Sequence, residues 1–200
     1  MRAGPLQHHI RSSLTEAKTA LENLLASEQA LAAIALAAGA LIETFRRGGR
    51  VYACGNGGSM SDAMHFAEEL TARYRAERRG LPAIAISDPA YLTCAGNDLG
   101  YENVFARFIG SHGRAGDCLL AISTSGASPN VLKAARAAQA LEMRVIALTG
   151  RSGSALEASA DICVCTAGGR HADRAQELHI KVIHILIELV EREMFPENYR

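Results

Sequence analysis

His65 and Glu69 lie four residues apart in "SDAMHFAEELTARYR". On a helix they would share one face, about one turn from each other. An imidazole and a carboxylate at that spacing can hold a divalent metal, with zinc the best match to the donors. They can equally hydrogen-bond to one another as a surface pair. Toward the other end of the chain, "AQELHIKVIHILIELVE" sets Gln176, Glu177, His179 and His184 among apolar neighbours. Gln176, Ile180 and His184 recur at steps of four and share a face, while His179 points elsewhere. Spacing alone leaves His184 open between a satisfied core histidine and a ligand. Gln176 and His184 are also separated by about 12 Å of helical rise, so both side chains would have to lean toward a common point.

Two polar turns could bind an anion beside these residues. In "STSGASPN", residues 123–130, the hydroxyls of Ser123, Thr124, Ser125 and Ser128 surround Gly126 just before a helical stretch. Such a turn suits a phosphate monoester, held by hydroxyls and by the N–H groups of a helix start. Ser128 before Pro129 also fits a helix N-cap. The other turn, "GNGGSMSD" at 55–62, links "RVYAC" to the helix bearing His65. As a dinucleotide fingerprint it fails, because Met60 stands at the third glycine and the next strand-end acid, Asp88, is far too distant. A phosphate-loop reading fails as well, because no G-K-[ST] occurs and the only lysines are Lys18, Lys133 and Lys181.

The elements that must position these residues follow from the apolar runs. "RVYAC", "PAIAIS", "DCLLAIS", "RVIALTG" and "DICVCT" have strand length and are mostly continuously apolar, as in a parallel sheet covered on both faces. Helical stretches alternate with them: "SDAMHFAEELTARYR", the region of "ENVFARFIGSHG", "SPNVLKAARAAQAL", "SALEASA" and "RAQELHIKVIHILIELVEREMF". The expected fold class is α/β: a three-layer α/β/α sandwich on a five-stranded parallel sheet, with N-terminal helices. Residues 1–47 form that helical appendage, its start marked by the Ser/Thr and Glu pattern of "SSLTEAKTALENLL", and residues 1–200 form a single domain. Ligands of such sheets bind at the carboxyl ends of the strands, where both turns and "GND" (96–98), in the loop after the second strand, should lie. The final helix is apolar on more than one side and fits either a subunit interface or a thick core.

Composition narrows the function classes. The 200 residues are 48% hydrophobic, and Lys plus Arg balance Asp plus Glu at 21 each, so no basic field points to nucleic acid or an anionic membrane. No apolar stretch approaches the roughly 20 residues of a membrane span, and "MRAGPLQHHIRSS" lacks the apolar core of a secretory signal, so a cytoplasmic protein is expected. Of five cysteines, Cys54, Cys118, Cys163 and Cys165 adjoin strand-like runs and read as core residues; Cys94 is the fifth. Cys163 and Cys165 share one strand face without a second pair to complete a zinc site.

"CGNGGSMSDAMHFAEEL", "AISDPAYLTCAGND", "ISTSGASPNV" and "AQELHIKVIHILIELVE" together resemble the sugar isomerase (SIS) fold, and within it the phosphoheptose isomerases, from about residue 10 to 195. The resemblance implies a metal site of His65, Glu69, Gln176 and His184, with His179 as a less favoured substitute. It implies sugar contacts at Asn56, Gly57, Gly58, Asn97, Asp98 and Gln176, and a homotetramer with sites at subunit boundaries. The implied activity converts sedoheptulose 7-phosphate to D-glycero-D-manno-heptose 7-phosphate through an enediol, with zinc polarising the oxygens, on the way to the heptose of lipopolysaccharide core. Such chemistry needs a base and an acid; Glu69 and His184 are assigned those roles. Because a metal lowers a carboxylate's basicity, Asp173 or a bound water stands as an alternative base. The competing readings are a non-catalytic SIS regulator that binds a sugar phosphate or a replication initiator, and a different isomerase of the same fold acting on a pentose or hexose phosphate.

Overall fold

The computed structural model describes residues 3–169 and 171–200; Met1, Arg2 and Arg170 lie outside the described residues. Five strands, β1 (Val51–Cys54), β2 (Ala83–Ala85), β3 (Cys118–Ser123), β4 (Arg144–Thr149) and β5 (Ile162–Cys165), pair in parallel in the order β2-β1-β3-β4-β5. All five expected strands are present. Their side chains alternate between two buried layers. Val51, Leu120, Ile122 and Leu148 face α2 (Glu28–Arg46), α3 (Gly58–Thr71) and α8 (Ala172–Met194). Tyr52, Leu119, Ala121 and Val145 face α4 (Pro89–Leu99), α5 (Val104–His112), α6 (Pro129–Ala140) and α7 (Ala155–Ala158). Apolar side chains are thus needed at successive strand positions, which explains the unbroken apolar runs.

Strand order reverses between β1 and β3, and a crevice at the carboxyl ends of strands forms at such a switch point. The glycine turn after β1 and the serine turn after β3 flank it.

Several boundaries differ from the sequence reading. α3 begins at Gly58, so the glycine turn is short and Ser59 is already helical, its N–H donating to the Asn56 carbonyl. It ends at Thr71, where Thr71 Oγ1 donates to the Ala83 carbonyl at 3.0 Å and the chain turns toward β2. "GND" is not in a loop: Asn97 and Asp98 occupy the last turn of α4. Asp88 accepts from the Tyr91 N–H at 2.6 Å and Pro89 follows at the helix start, a strong initiation signal that the turn-like residues Gly96 and Asn97 obscured.

The N-terminal segment forms two helices, α1 (Ala3–Leu25) and α2, the latter capped by Ser27, whose Oγ accepts from Ala30 N–H at 3.2 Å. α1 runs through the Ser/Thr and Glu pattern instead of starting there; Ser13 Oγ accepts from Arg174 of α8, which also pairs with Glu16. α2 is 19 residues long and apolar, nearer to a membrane span than the sequence reading allowed, but Ile34, Leu41 and Phe45 lie in the core shared with α8. The apolar faces of α8 are likewise core, with Leu178, Val182, Ile183, Leu186 and Ile187 buried. On α1 the case is opposite: Leu6, Ile10, Leu14, Leu21 and Leu25 are exposed along one stripe. Cys54 and Cys118 are buried, Cys163 and Cys165 half-buried and Cys94 exposed.

Candidate active site

α3 and α8 run side by side in the same direction, as successive contacts show. Gly58 at the start of α3 meets the Gln176 side chain, His65 meets His184, and Arg75 beyond α3 pairs with Glu188 at 2.8 Å. A Cβ on Gly58 would lie 2.7 Å from the Gln176 amide, so glycine is what lets Gln176 approach.

Midway along this seam three donors converge. His65 Nε2 is 3.0 Å from His184 Nε2 and 3.4 Å from Glu69 Oε1. One ligand atom from each residue falls within 4.8 Å of the others. Ligand atoms bonded at roughly 2.0–2.1 Å to a tetrahedral ion stand about 3.3 Å apart, so these separations fit a divalent metal. Burial, then the charge of His65, Lys181 and Arg75, hold the His184 pKa below the ordinary imidazole value, favouring the neutral ring that a metal requires. Burial and then the neighbouring Glu68 raise the Glu69 pKa, against the pull of His65. Tyr74 stacks on His184 with ring centroids 5.9 Å apart and steadies its plane.

Gln176 lines a cleft with Ser61, Asp62, His65, Asp173 and Glu177, next to the convergent triad. Burial pushes the Asp62 carboxyl up to about 6, opposed by His65. His179 faces away and is wholly buried; among the described residues neither ring nitrogen makes a well-formed hydrogen bond, and the Thr149 backbone is its polar neighbour.

In the serine turn, Ser123 Oγ lies 3.0 Å from Ser128 Oγ and 3.4 Å from Ser125 Oγ, so three hydroxyls cluster beside the start of α6. Ser128 holds the N-cap position without a side-chain cap bond, its hydroxyl turned to the cluster instead of the helix. Gly126 has φ +63°, and a Cβ there would come within 2.3 Å of Ser154. The Thr124 carbonyl accepts from Gly150 N–H at 3.0 Å, fixing the turn to the loop after β4.

A residue that the sequence reading missed joins the two turns. Asn130, 2% exposed, exchanges two amide bonds with Asn56: Asn56 Nδ2 donates to Asn130 Oδ1 at 2.9 Å and Asn130 Nδ2 to Asn56 Oδ1 at 2.8 Å. Tyr101 Oη also donates to Asn56 Oδ1, at 3.1 Å. The Asn56 side chain is therefore largely committed to bracing, leaving the Gly57–Gly58 backbone as the freer ligand surface. The available signal was Asn130 standing at four-residue steps from Ala134 and Ala138, on the apolar face of "NVLKAARAAQA". Asn97 and Asp98 bond to one another at 2.7 Å, and Cys94 Sγ donates to Asp98 at 3.6 Å; among the described residues no hydrogen bond joins them to either turn.

A parallel sheet with a hydroxyl-lined turn at its switch point defines the class. Residues 14–150 match the SIS domain. The phosphoheptose isomerase of Klebsiella pneumoniae is 56% identical over 188 residues, 94% of this chain and 97% of that protein. The phosphoheptose isomerase structures from Neisseria gonorrhoeae and Francisella tularensis superpose with TM-scores of 0.86 and 0.84, at 36% and 37% identity. They cover 93% and 96% of this chain, and 98% and 100% of their own. The chain belongs to the phosphoheptose isomerases.

Proposed function

We propose that the protein interconverts sedoheptulose 7-phosphate and D-glycero-D-manno-heptose 7-phosphate, supplying heptose for lipopolysaccharide core. The observation carrying this reading is the convergence of His65, Glu69 and His184 at hydrogen-bonding distance, in a family of isomerases. The cluster of Ser123, Ser125 and Ser128, with Thr124, holds the phosphate, whose charge near −2 suits a neutral hydroxyl and N–H cradle. Gly57 and Gly58 offer backbone N–H groups to the sugar, with Gln176, Asn97 and Asp98 as further hydroxyl partners.

Glu69 takes a proton from carbon 1 of the ketose, and the carbonyl oxygen on carbon 2 gains one, giving the enediol. Loss of the proton on oxygen 1 and return of a proton to carbon 2 complete the aldose. His184 carries the oxygen protons. The raised Glu69 pKa brings the base closer to its task, and the lowered His184 pKa keeps its ring neutral, with one lone pair to give either to a metal or to a proton. His65, Glu69 and His184, with Gln176 beside them, would hold a zinc ion, which would supply positive charge near the substrate oxygens, and Glu69 and His184 would leave the ion to move protons.

The same reading makes the protein a cytoplasmic homotetramer with sites at subunit boundaries, built from residues 1–200 as one domain. The exposed stripe Leu6, Ile10, Leu14, Leu21 and Leu25 on α1 supports assembly.

Zinc-loaded protein incubated with sedoheptulose 7-phosphate should form the aldose by NMR, and Glu69→Gln and His184→Ala should not. Full activity in both variants would remove these roles from Glu69 and His184. Metal analysis tests zinc separately: a metal-free, fully active enzyme would refute its part.

A further inference from the structure

Beyond the triad, the seam between α3 and α8 ends in a buried charge network that the reaction does not use. The side chains of Arg78 and Glu191 are 1% and 0% exposed. Arg78 Nε donates to Glu191 Oε1 at 2.8 Å, and its terminal nitrogens donate to the carbonyls of Glu69 and Leu70, each at 2.8 Å. The other Glu191 oxygen accepts from Tyr199 Oη at 2.9 Å. Asn198 Nδ2 donates to the Glu77 carbonyl at 3.3 Å, and the Phe195 ring lies 5.7 Å from the Arg78 guanidinium. The last residues thereby close over the segment that follows α3.

Arg78 bonds to carbonyls that the last turn of a helix leaves without helical partners, at the end where a cation is favoured; that of Leu70 also accepts from Leu81 N–H at 2.9 Å. One of those carbonyls belongs to Glu69, whose carboxylate is in the triad. Through Glu191 the same guanidinium grips α8, two turns beyond His184. The other ion pair along this seam, Arg75–Glu188, leaves Arg75 half-exposed and touches no α3 carbonyl. A buried ion pair is a poor source of net stability because desolvation offsets attraction; fixing register is its best-attested use.

We propose that Arg78, with Glu191 and Tyr199, is a positioning assembly that sets the register of α3 against α8, and hence the approach of His65 and Glu69 to His184. It rests on reading that triad as the metal and proton-transfer site.

The test uses full-length Tyr199→Phe and Arg78→Lys, with Ile187→Val in the α8 core as a stability control. Zinc affinity by chelator competition should fall tenfold or more in both network variants, the effect typical of losing a group that orients a ligand. Affinity for inorganic phosphate should stay within about twofold, since the serine turn lies on other elements. Amides of Leu70, Thr71 and Ala72 should exchange with solvent faster than in the parent. Ile187→Val should keep parental zinc affinity and exchange. Zinc affinity and α3 exchange at parental values in folded Tyr199→Phe and Arg78→Lys would overturn the proposal, as would an equal loss in Ile187→Val. If Arg78→Lys does not fold, Tyr199→Phe decides alone. A parent that binds zinc but turns over no heptose phosphate refutes the isomerase reading and leaves this test standing; if the parent binds no zinc, the exchange data decide.

Discussion

Replacing Asn130 by alanine should unbrace the glycine and serine turns at once. The substitution deletes the two amide bonds to Asn56, at 2.9 and 2.8 Å, and removes the acceptor of the Val131 N–H, at 3.0 Å. Each lost bond contributes about 1 kcal/mol net, and the site is too buried for water to replace all three, so about 2–3 kcal/mol of stability should be lost. In a chain of 200 residues that lowers Tm by roughly 4–12 °C. Among the described residues Asn56 then keeps Tyr101 alone as a side-chain partner, and the Gly57–Gly58 backbone loses its fixed distance from the serine turn. KM for sedoheptulose 7-phosphate should therefore rise about tenfold, equivalent to about 1.4 kcal/mol of binding, with a smaller change in kcat. Urea unfolding and steady-state kinetics on the same preparation measure both quantities. A stability loss below about 0.5 kcal/mol together with an unchanged KM would refute the bracing role, because such a loss is what an indifferent surface change produces.

Ser128→Ala should cost less stability than the roughly 1 kcal/mol of a lost N-cap, because Ser128 makes no cap bond, yet it should weaken phosphate affinity; thermal melts and phosphate titration separate the two. Gly126→Ala places a side chain at φ +63° with its Cβ 2.3 Å from Ser154. The backbone strain alone costs about 1–2 kcal/mol, and inorganic phosphate should bind at least tenfold more weakly in a titration; parental affinity would show that the turn does not hold phosphate. Burial pushes the His179 pKa down from 6.5 to about 4. The unfolded chain takes up that proton below about pH 6.5 while the folded one resists until about pH 4, so stability is full above 6.5 and falls through this window by about 3 kcal/mol. His179→Leu should flatten that part of the acid dependence; an unchanged slope in urea unfolding against pH would contradict it.

The sheet was legible because parallel strands buried on both faces leave continuous apolar runs, and all five are where those runs lie. His65 with Glu69 was legible from helical spacing, but their meeting with His184 was not: it depends on α8 lying alongside α3, a long-range packing that no local pattern encodes. Ser128 was legible as a hydroxyl of the serine turn, with an N-cap as the alternative because Ser-Pro is a good helix start; its hydroxyl turns to Ser123, five residues back in the same turn, and not to the helix. α4 was hidden by Gly96 and Asn97, whose turn preference is overridden by the Asp88–Pro89 start and by Ala95 packing into the core. Asn130 and Arg78 act through partners 74 and 113 residues away in sequence, which is why their roles emerge only from the fold.

The central claim is that Glu69 and His184, brought together by the α3–α8 seam, move a proton between carbons 1 and 2 of a heptose phosphate. Its most direct test is turnover of sedoheptulose 7-phosphate by zinc-loaded protein in D2O, followed by NMR. The aldose should appear, with deuterium at carbon 2 to the extent that the proton taken by Glu69 exchanges with solvent before its return, and Glu69→Gln should abolish the product. No aldose from the parent protein with zinc or any other divalent ion would contradict the claim.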